Sequence, residues 1–371
     1  MKNRKVQFKI KQLEEKLRKA SNEYYNLDNS SMKDHEFDEL KDELEKLDPN
    51  NSFLSEVGAL VGVTEWNKAE HKISMTSLNK VNTKEEFIKW SEKINDNKYV
   101  VMEKLDGISI DLEYKNGELI DGITRGDGII GESILPNIMK MKNVKRKIDN
   151  FSGSLRGEVV LFFDDFKEIN NFLKKKNEIL LKNPRNSSSG IAKRYDGKFS
   201  EFLTILFYDI ECEILFNNEI EKLEYISNNL NLKTCFYKKD NINGIIKVYN
   251  DYVRVKRSEC LYEIDGLVIS SNNLKTQKDS GMISGRPKAK IAWKFPPMTK
   301  ITKLIDVKWS IQNRRITPIA ILEPVMLGVE VKKANLHNVD NFKKLNLYKN
   351  CKVLIKRSGD VIPHLIKKID S

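Results

Sequence analysis

Lysine becomes a nucleophile only when it sheds its proton, which burial or neighbouring cations make easier. Glu103-Lys104-Leu105-Asp106-Gly107 presents one such lysine where an apolar run gives way to a turn. An aspartate two residues on can orient the amine, and the glycine lets the backbone close on a ligand. A lone Lys-x-Asp-Gly carries little weight. Here it is followed, in order, by Thr124-Arg125-Gly126-Asp127-Gly128, Arg156-Gly157-Glu158, Asn183-Pro184-Arg185-Asn186, Glu263-Ile264-Asp265-Gly266 and Ala292-Trp293-Lys294-Phe295-Pro296. Each piece puts a cation or a carboxylate at a strand end. Cations for phosphates and carboxylates for a metal ion are the equipment of nucleotidyl transfer.

The elements that must hold these residues are legible in outline. Residues 99–102 form a short apolar run, and Ile108, Ile110 and Leu112 alternate with polar residues. Asn116-Gly117 before Leu119 signals a hairpin. Residues 203–210 and 264–269 also read as strands, and 160–182 and 218–230 as helices. In the last strand Ile291, Trp293 and Phe295 point one way, so Lys294 points the other, with Ala292. This predicts a mixed α+β domain. Ahead of it, residues 1 to about 50 read as a helical pair, from Ile10, Leu13 and Leu17 and then Phe37, Leu40, Leu44 and Leu47. Tyr24-Tyr25 lies between the helices, Ser31 is placed to cap the second, and Asp34 and Asp38 share one of its faces. From about residue 301 the strands 307–311, 316–322 and 353–355 predict a small β-barrel of the oligonucleotide-binding type.

Composition narrows the class. The chain has 371 residues, 40% of them hydrophobic, which suits two or three packed domains and excludes an intrinsically disordered protein. With 65 Lys+Arg against 53 Asp+Glu, the net charge of +12 points to a polyanionic partner, nucleic acid ahead of membrane. Cys212, Cys235, Cys260 and Cys351 form no Cys-x-x-Cys pair, so neither a disulfide framework nor a zinc site is expected and a reducing compartment fits. No apolar run approaches the roughly 18 residues of a membrane span, and the basic N-terminus has no apolar core of a secretory signal.

The ordered set resembles the bacterial-type NAD-dependent DNA ligases, also carried by some large DNA viruses, and the resemblance runs nearly end to end. The motifs above match that family's nucleotidyltransferase (adenylation) domain. Leu322-Glu323-Pro324-Val325, Leu336-His337-Asn338 and Arg357-Ser358-Gly359-Asp360-Val361-Ile362-Pro363 match its OB-fold domain. The resemblance implies three parts: a helical NAD-binding cap at 1–70, the adenylation domain at 71–300 and the OB-fold at 301–371. It implies that Lys104 attacks NAD to form lysyl-AMP, releasing nicotinamide mononucleotide, with Asp106, Glu158, Asp265 and Lys294 as catalytic companions. The nucleotide-binding residues would be Tyr24, Tyr25, Asp34, Asp38, Ser77, Leu78, Glu103, Arg125, Arg185 and Arg257. In the family the positions of Lys294 and Arg185 meet phosphates, that of Glu158 the ribose, and those around Ser77-Leu78 the adenosine. AMP would pass to the 5′-phosphate of a nick, which the 3′-hydroxyl then seals, a reaction of replication and repair. Arg314, Arg315, Arg357 and Asp360 would contact the DNA. Magnesium, or manganese, would act through phosphates, with Glu158 and Asp265 as candidate partners. A cytoplasmic monomer working on nicked duplex DNA is expected.

The chain also departs from the family pattern. The glutamate usual two residues before the nucleophile is Met102, and Glu103 comes one residue late, where a strand turns its side chain to the opposite face. Ser270 stands in place of a lysine, Lys193 in place of an arginine, and Tyr25 where a histidine is usual. The family continues into a four-cysteine zinc finger, a helix-hairpin-helix domain and a BRCT domain, none of which is expected in these 371 residues. The competing expectation is therefore an enzyme that adenylates itself but seals poorly, or a degenerate nick-binding homologue.

Overall fold

The structure is a computed structural model that describes residues 9–18, 20, 40–41, 43–44, 46–48, 51, 53, 66–312, 315–327, 329–357 and 363–369. At 311, 312, 315, 316, 329 and 357 it describes the backbone alone. The chain divides into two units, Met1–Phe295 and Pro296–Ser371.

Apolar-polar alternation makes the strands of the first unit, and their register decides which side chains meet. The strands are β1 (Asn79–Val81), β2 (Tyr99–Leu105), β3 (Ile108–Lys115), β4 (Glu118–Thr124), β5 (Gly153–Leu161), β6 (Leu203–Cys212), β7 (Tyr237–Asp240), β8 (Ile264–Ser271) and β9 (Lys290–Lys294). One sheet runs β1-β9-β8-β2-β7, antiparallel except for the β1–β9 pair. The other runs β4-β3-β5-β6, all antiparallel. The predicted hairpin joins β3 to β4, and its Asn116 and Gly117 both take positive φ, 52° and 86°, as a two-residue turn of the twisted kind demands. The helices of this unit include α1 (Lys84–Ile94), α2 (Phe163–Lys175), α3 (Pro184–Ala192), α4 (Glu219–Glu224) and α5 (Ile242–Asp251). α3 starts sharply because Asn183 caps the Asn186 amide at 2.8 Å and Pro184 follows the cap.

Each sheet keeps one apolar face. The back of the first carries Tyr99, Val101, Leu267, Ile269, Ile291 and Trp293, with Phe87 of α1 and Ile245 and Tyr249 of α5 in the same core. The back of the second carries Ile110, Leu112, Leu155, Val159, Ile205 and Phe207, with Ile169 of α2 and Ile191 of α3. The opposite faces carry the charged residues, with Val100 and Met102 of the first sheet and Val160 and Leu206 of the second also buried in the first core. Trp66 packs against the second core, and Lys68–Glu70 pairs with Ile130–Glu132, so the boundary expected at residue 70 falls inside this packing. Near the N-terminus, residues 9–18 are helical, and Leu13, Leu17, Leu44 and Phe53 bury one another as the two predicted apolar stripes require. Tyr24, Tyr25, Ser31, Asp34 and Asp38 lie outside the described residues.

The second unit is a closed barrel of β10 (Met298–Gln312), β11 (Arg315–Leu327), β12 (Val329–Asn335), β13 (Lys352–Arg357) and β14 (His364–Lys368), ordered β10-β11-β12-β14-β13. Its core holds Leu304, Ala320, Leu322, Val331, Val353, Ile355 and Leu365. Among the described residues no helix is long and apolar enough to cross a membrane.

Candidate functional site

Gly266 of β8 pairs with Lys104 of β2 on one side and Lys294 of β9 on the other, so both lysines leave the same sheet face, one strand apart. Asp265 is carried at the bulge beside Gly266 and takes both. Lys294 Nζ donates to its Oδ2 at 2.6 Å, and Lys104 Nζ lies 3.1 Å from Oδ2 and 3.0 Å from Oδ1. Burial alone would raise the Asp265 carboxyl, but the two ammonium charges override it and hold it well below the usual range. The lysine side chains keep 28% and 30% of their surface exposed, so the cluster is open to a ligand. Gly266 is required there: a Cβ would stand 2.5 Å from the Trp293 carbonyl and 3.1 Å from the Lys294 Cα.

Glu158, Asp106, Arg185 and Arg125 stand on the elements around this cluster. Glu158 of β5 accepts the Gly107 amide at 3.2 Å and the Ser109 hydroxyl at 2.7 Å. Burial pushes its carboxyl up, against the opposing pull of Ser109, Lys104, Arg125 and the Gly107 amide. Asp106 meets Arg185 Nε at 3.1 Å, which anchors the turn after the nucleophile strand to the first turn of α3. Arg125 stands in a turn whose Gly126 has a φ of 56°, and whose Cβ would lie 1.9 Å from the Ile130 carbonyl. Its backbone amide donates to Ser109 O at 3.1 Å, beside Glu158.

Comparison with known proteins gives the family. Residues 63–298 match the NAD-dependent DNA ligase adenylation domain, 301–371 the NAD-dependent DNA ligase OB-fold domain, and 3–56 the DNA ligase-like N-terminal NAD+-binding domain. The chain belongs to the NAD-dependent DNA ligase family. A DNA ligase of Sorangium cellulosum is 34% identical over 98% of this chain and 56% of its own length. Those of Clostridioides difficile and Clostridium botulinum (strain Langeland) are 32% and 35% identical, over 98% of this chain and 57% and 58% of their own. The chain thus spans less than three fifths of the relatives it matches.

The other residues expected from the ligase resemblance fall as follows. Ser77 and Leu78 are half-buried immediately before β1. Their segment is pinned to the second sheet, because Arg156 donates to the Ile73 carbonyl and His71 Nε2 lies 3.1 and 3.2 Å from the Thr124 and Arg125 carbonyls. Arg257 lies over the Phe295 ring at 5.3 Å, next to Lys294 in the chain. Lys193 meets Glu132 at 3.3 Å. Glu103, expected among the nucleotide-facing residues, is a correction. It points away from Lys104 and is buried on the back of the sheet, where Tyr252 and Tyr262 donate their hydroxyls to it at 2.7 and 2.6 Å.

In the barrel, Arg315 pairs with Gln312 and Arg357 with Met298, at opposite ends of β10, so the ladder does not bring these two together. Arg314 and Asp360 lie outside the described residues. Tyr208 was missed from the sequence: its phenol lies beside Glu158 and Ser109, and burial pushes it up from its ordinary value. Its position inside the apolar run 203–210 gave no signal. Among the described residues no group of three His, Cys, Asp or Glu side chains is placed to hold a metal ion. Asp265 is committed to two lysines and Glu158 to Gly107 and Ser109, so neither fits as a resident metal ligand.

Proposed function

We propose that the protein is an NAD-dependent DNA ligase that adenylates Lys104 and passes the AMP to the 5′-phosphate of a nick. The observation that carries the reading is the pair of lysines sharing Asp265 within a chain of this family. Lys294 is exposed enough to leave Asp265 for a phosphate of the dinucleotide. Asp265, in contact with Lys104 Nζ, is then placed to take the proton that the amine must lose. The neutral amine attacks the α-phosphorus on the adenylate side. The N–P bond forms, the bond to the bridging oxygen breaks, and nicotinamide mononucleotide leaves. Arg185, held by Asp106, supports the phosphates, and Glu158 receives the ribose. The adenylate then moves to the 5′-phosphate of a nick, and attack by the 3′-hydroxyl releases AMP. Nicked duplex DNA is the proposed partner of the barrel, whose fold class binds such chains. Tyr24, Asp34 and Asp38 are the proposed holders of the nicotinamide half. A divalent cation, magnesium by preference, would arrive with the phosphates and screen their charge. We assign a helical cap ahead of Trp66, the adenylation domain from there to Phe295, and DNA contacts to Arg314, Arg315, Arg357 and Asp360. We further propose that the protein works as a monomer in the cytoplasm.

The test is incubation with magnesium and NAD labelled in its adenylate half, with labelled ATP in parallel. Label should appear on the protein from NAD and not from ATP, and vanish in Lys104→Ala. Adding nicked duplex should then discharge the label and seal the strand. No label from either nucleotide, in protein that starts free of AMP, overturns the reading.

A further inference from the structure

The helical path of α5 continues past Asp251 into a single π turn, Tyr252–Lys256, and then a short α turn, Arg257–Glu259. The Arg257 amide donates to the Tyr252 carbonyl, five residues back instead of four. An α-helix turns about 100° per residue, so it would set residues five apart about 140° from each other. Closing the ring one residue later brings Arg257 back toward the side of Tyr252. Burial agrees: Tyr252 is buried, Val253, Arg254, Val255 and Lys256 are exposed, and Arg257 is half-buried again. Single π turns inside helices are frequent at functional sites.

Both residues meet one ring. The Arg257 guanidinium lies 5.3 Å from the centre of the Phe295 ring. The Tyr252 ring is nearly parallel to Phe295, at 6.0 Å and 14°, and Tyr249 adds a third ring at 5.6 Å. This aromatic block is wired to the nucleotide-site strands. Tyr249 donates its hydroxyl to the Lys294 carbonyl at 2.8 Å, and Tyr252 donates to Glu103, the neighbour of Lys104, at 2.7 Å. The Phe295 amide donates to the Asp265 carbonyl at 3.0 Å. The ring under Arg257 is therefore fixed to the strands that carry Lys104, Asp265 and Lys294. It holds the guanidinium by its charge and uses none of its five N–H donors.

We propose that Phe295 is the positioning residue of Arg257: its ring, backed by Tyr249 and Tyr252 and reached through the π turn, holds the guanidinium in place for a phosphate of the dinucleotide. This rests on the function proposed above and adds the part that places the arginine before the ligand arrives. Without the ring's pull the arginine spends only a fraction of its time in the right place, and the apparent affinity for the dinucleotide falls by that fraction.

The experiment changes the electrons of the ring while keeping its shape. Phe295 is replaced by mono-, di- and trifluorophenylalanine, which draw negative charge off the ring face in steps. NAD binding is titrated calorimetrically, with magnesium, in a Lys104→Ala background where nothing turns over. The self-adenylation rate at saturating NAD is read with Lys104 in place. The dissociation constant should climb with each fluorine and reach roughly 2- to 5-fold, the worth of a partly exposed contact between a cation and a ring. The saturated rate should not change. Arg257→Ala should weaken NAD binding roughly 10- to 100-fold, as loss of a charged hydrogen bond does, and fluorination on top of it should then do nothing. One alanine inserted after Val253 turns Arg257 about 100° away from the ring and should cost as much affinity as Arg257→Ala. The proposal is overturned by an affinity indifferent to fluorine, by a fluorine effect that survives the loss of Arg257, or by an insertion that leaves NAD binding intact. A wild type that binds NAD but never becomes labelled would refute the ligase reading, while the same dissociation constants would still decide the place of Arg257.

Discussion

Removing the carboxylate of Glu103 should destabilise the first unit by about 2–4 kcal/mol, and removing its partners at the same time should return most of that loss. Tyr252 and Tyr262 donate to it at 2.7 and 2.6 Å, the Phe236 amide at 3.3 Å and the Cys260 thiol at 3.7 Å. Burial, reinforced by this carboxylate, pushes both phenols up and the Cys260 thiol up to about 12, so all three stay protonated donors at neutral pH. A hydrogen bond to a charged group is worth about 1.5–3 kcal/mol, and a buried donor left without an acceptor costs about 1–3. Tyr252 is only 3% exposed and cannot turn to water, so Glu103→Leu incurs the full cost there. Tyr262 is half-buried and recovers part of its loss from solvent. Leucine returns something too, since it no longer requires a buried charge. In Glu103→Leu/Tyr252→Phe/Tyr262→Phe both phenols are gone, the Cys260 thiol keeps the Lys256 carbonyl at 3.3 Å and only the long Phe236 amide contact is lost, so stability should come back to within about 2 kcal/mol of wild type. Urea unfolding followed by tryptophan emission measures this, since Trp66, Trp90 and Trp293 all belong to the first unit. A neutral Glu103→Leu would falsify the reasoning, as would a triple variant as unstable as the sum of its parts.

Other outcomes follow from the same geometry. Gly266→Ala should cost about 1–3 kcal/mol by overpacking and abolish self-adenylation, because its Cβ can be fitted only by moving Lys294; a labelling rate close to wild type would contradict this. Asp265 has a depressed carboxyl, so its contribution to stability is complete above the ordinary aspartate value of 3.8 and drains away as pH falls below it. Asp265→Asn should therefore flatten the acid limb of the stability profile, read from melting temperature against pH. Glu158 has the opposite sign: its raised carboxyl makes the wild type lose stability as pH climbs from the ordinary 4.5 toward the raised value. Glu158→Gln should be free of that decline, and an unchanged slope would remove Glu158 as its source. Binding of nicked duplex should weaken steeply with salt, the slope of log K against log salt giving roughly the number of phosphates contacted; a flat slope would exclude the barrel arginines from that role.

Lys104, Asp265 and Lys294 were legible because chemistry and alternation coincide there: the motif order names them, and a period of two sets their face. The barrel was legible from its short strands. Glu103 shows the limit. Alternation turns it away from the site, yet its partners Tyr252 and Tyr262 lie about 150 residues downstream and only the folded register unites them. Tyr208 hid in an apolar run because nothing local announces a bulge.

The grip of Glu158 on both Gly107 and Ser109 ties the turn that ends the nucleophile strand to the opposite sheet. Beyond that tie Val160 and Leu206 of the second sheet join Val100 and Met102 of the first in one buried core, while the charged end around Lys104 stays open. An adenylate bonded to Lys104 would act there as mortar. The charged enzyme waiting for a break in DNA should then be the sturdier form of the molecule, melting above the empty one. Storing an activated phosphate for long periods would in that way be aided by the very architecture that had to be left open to accept it.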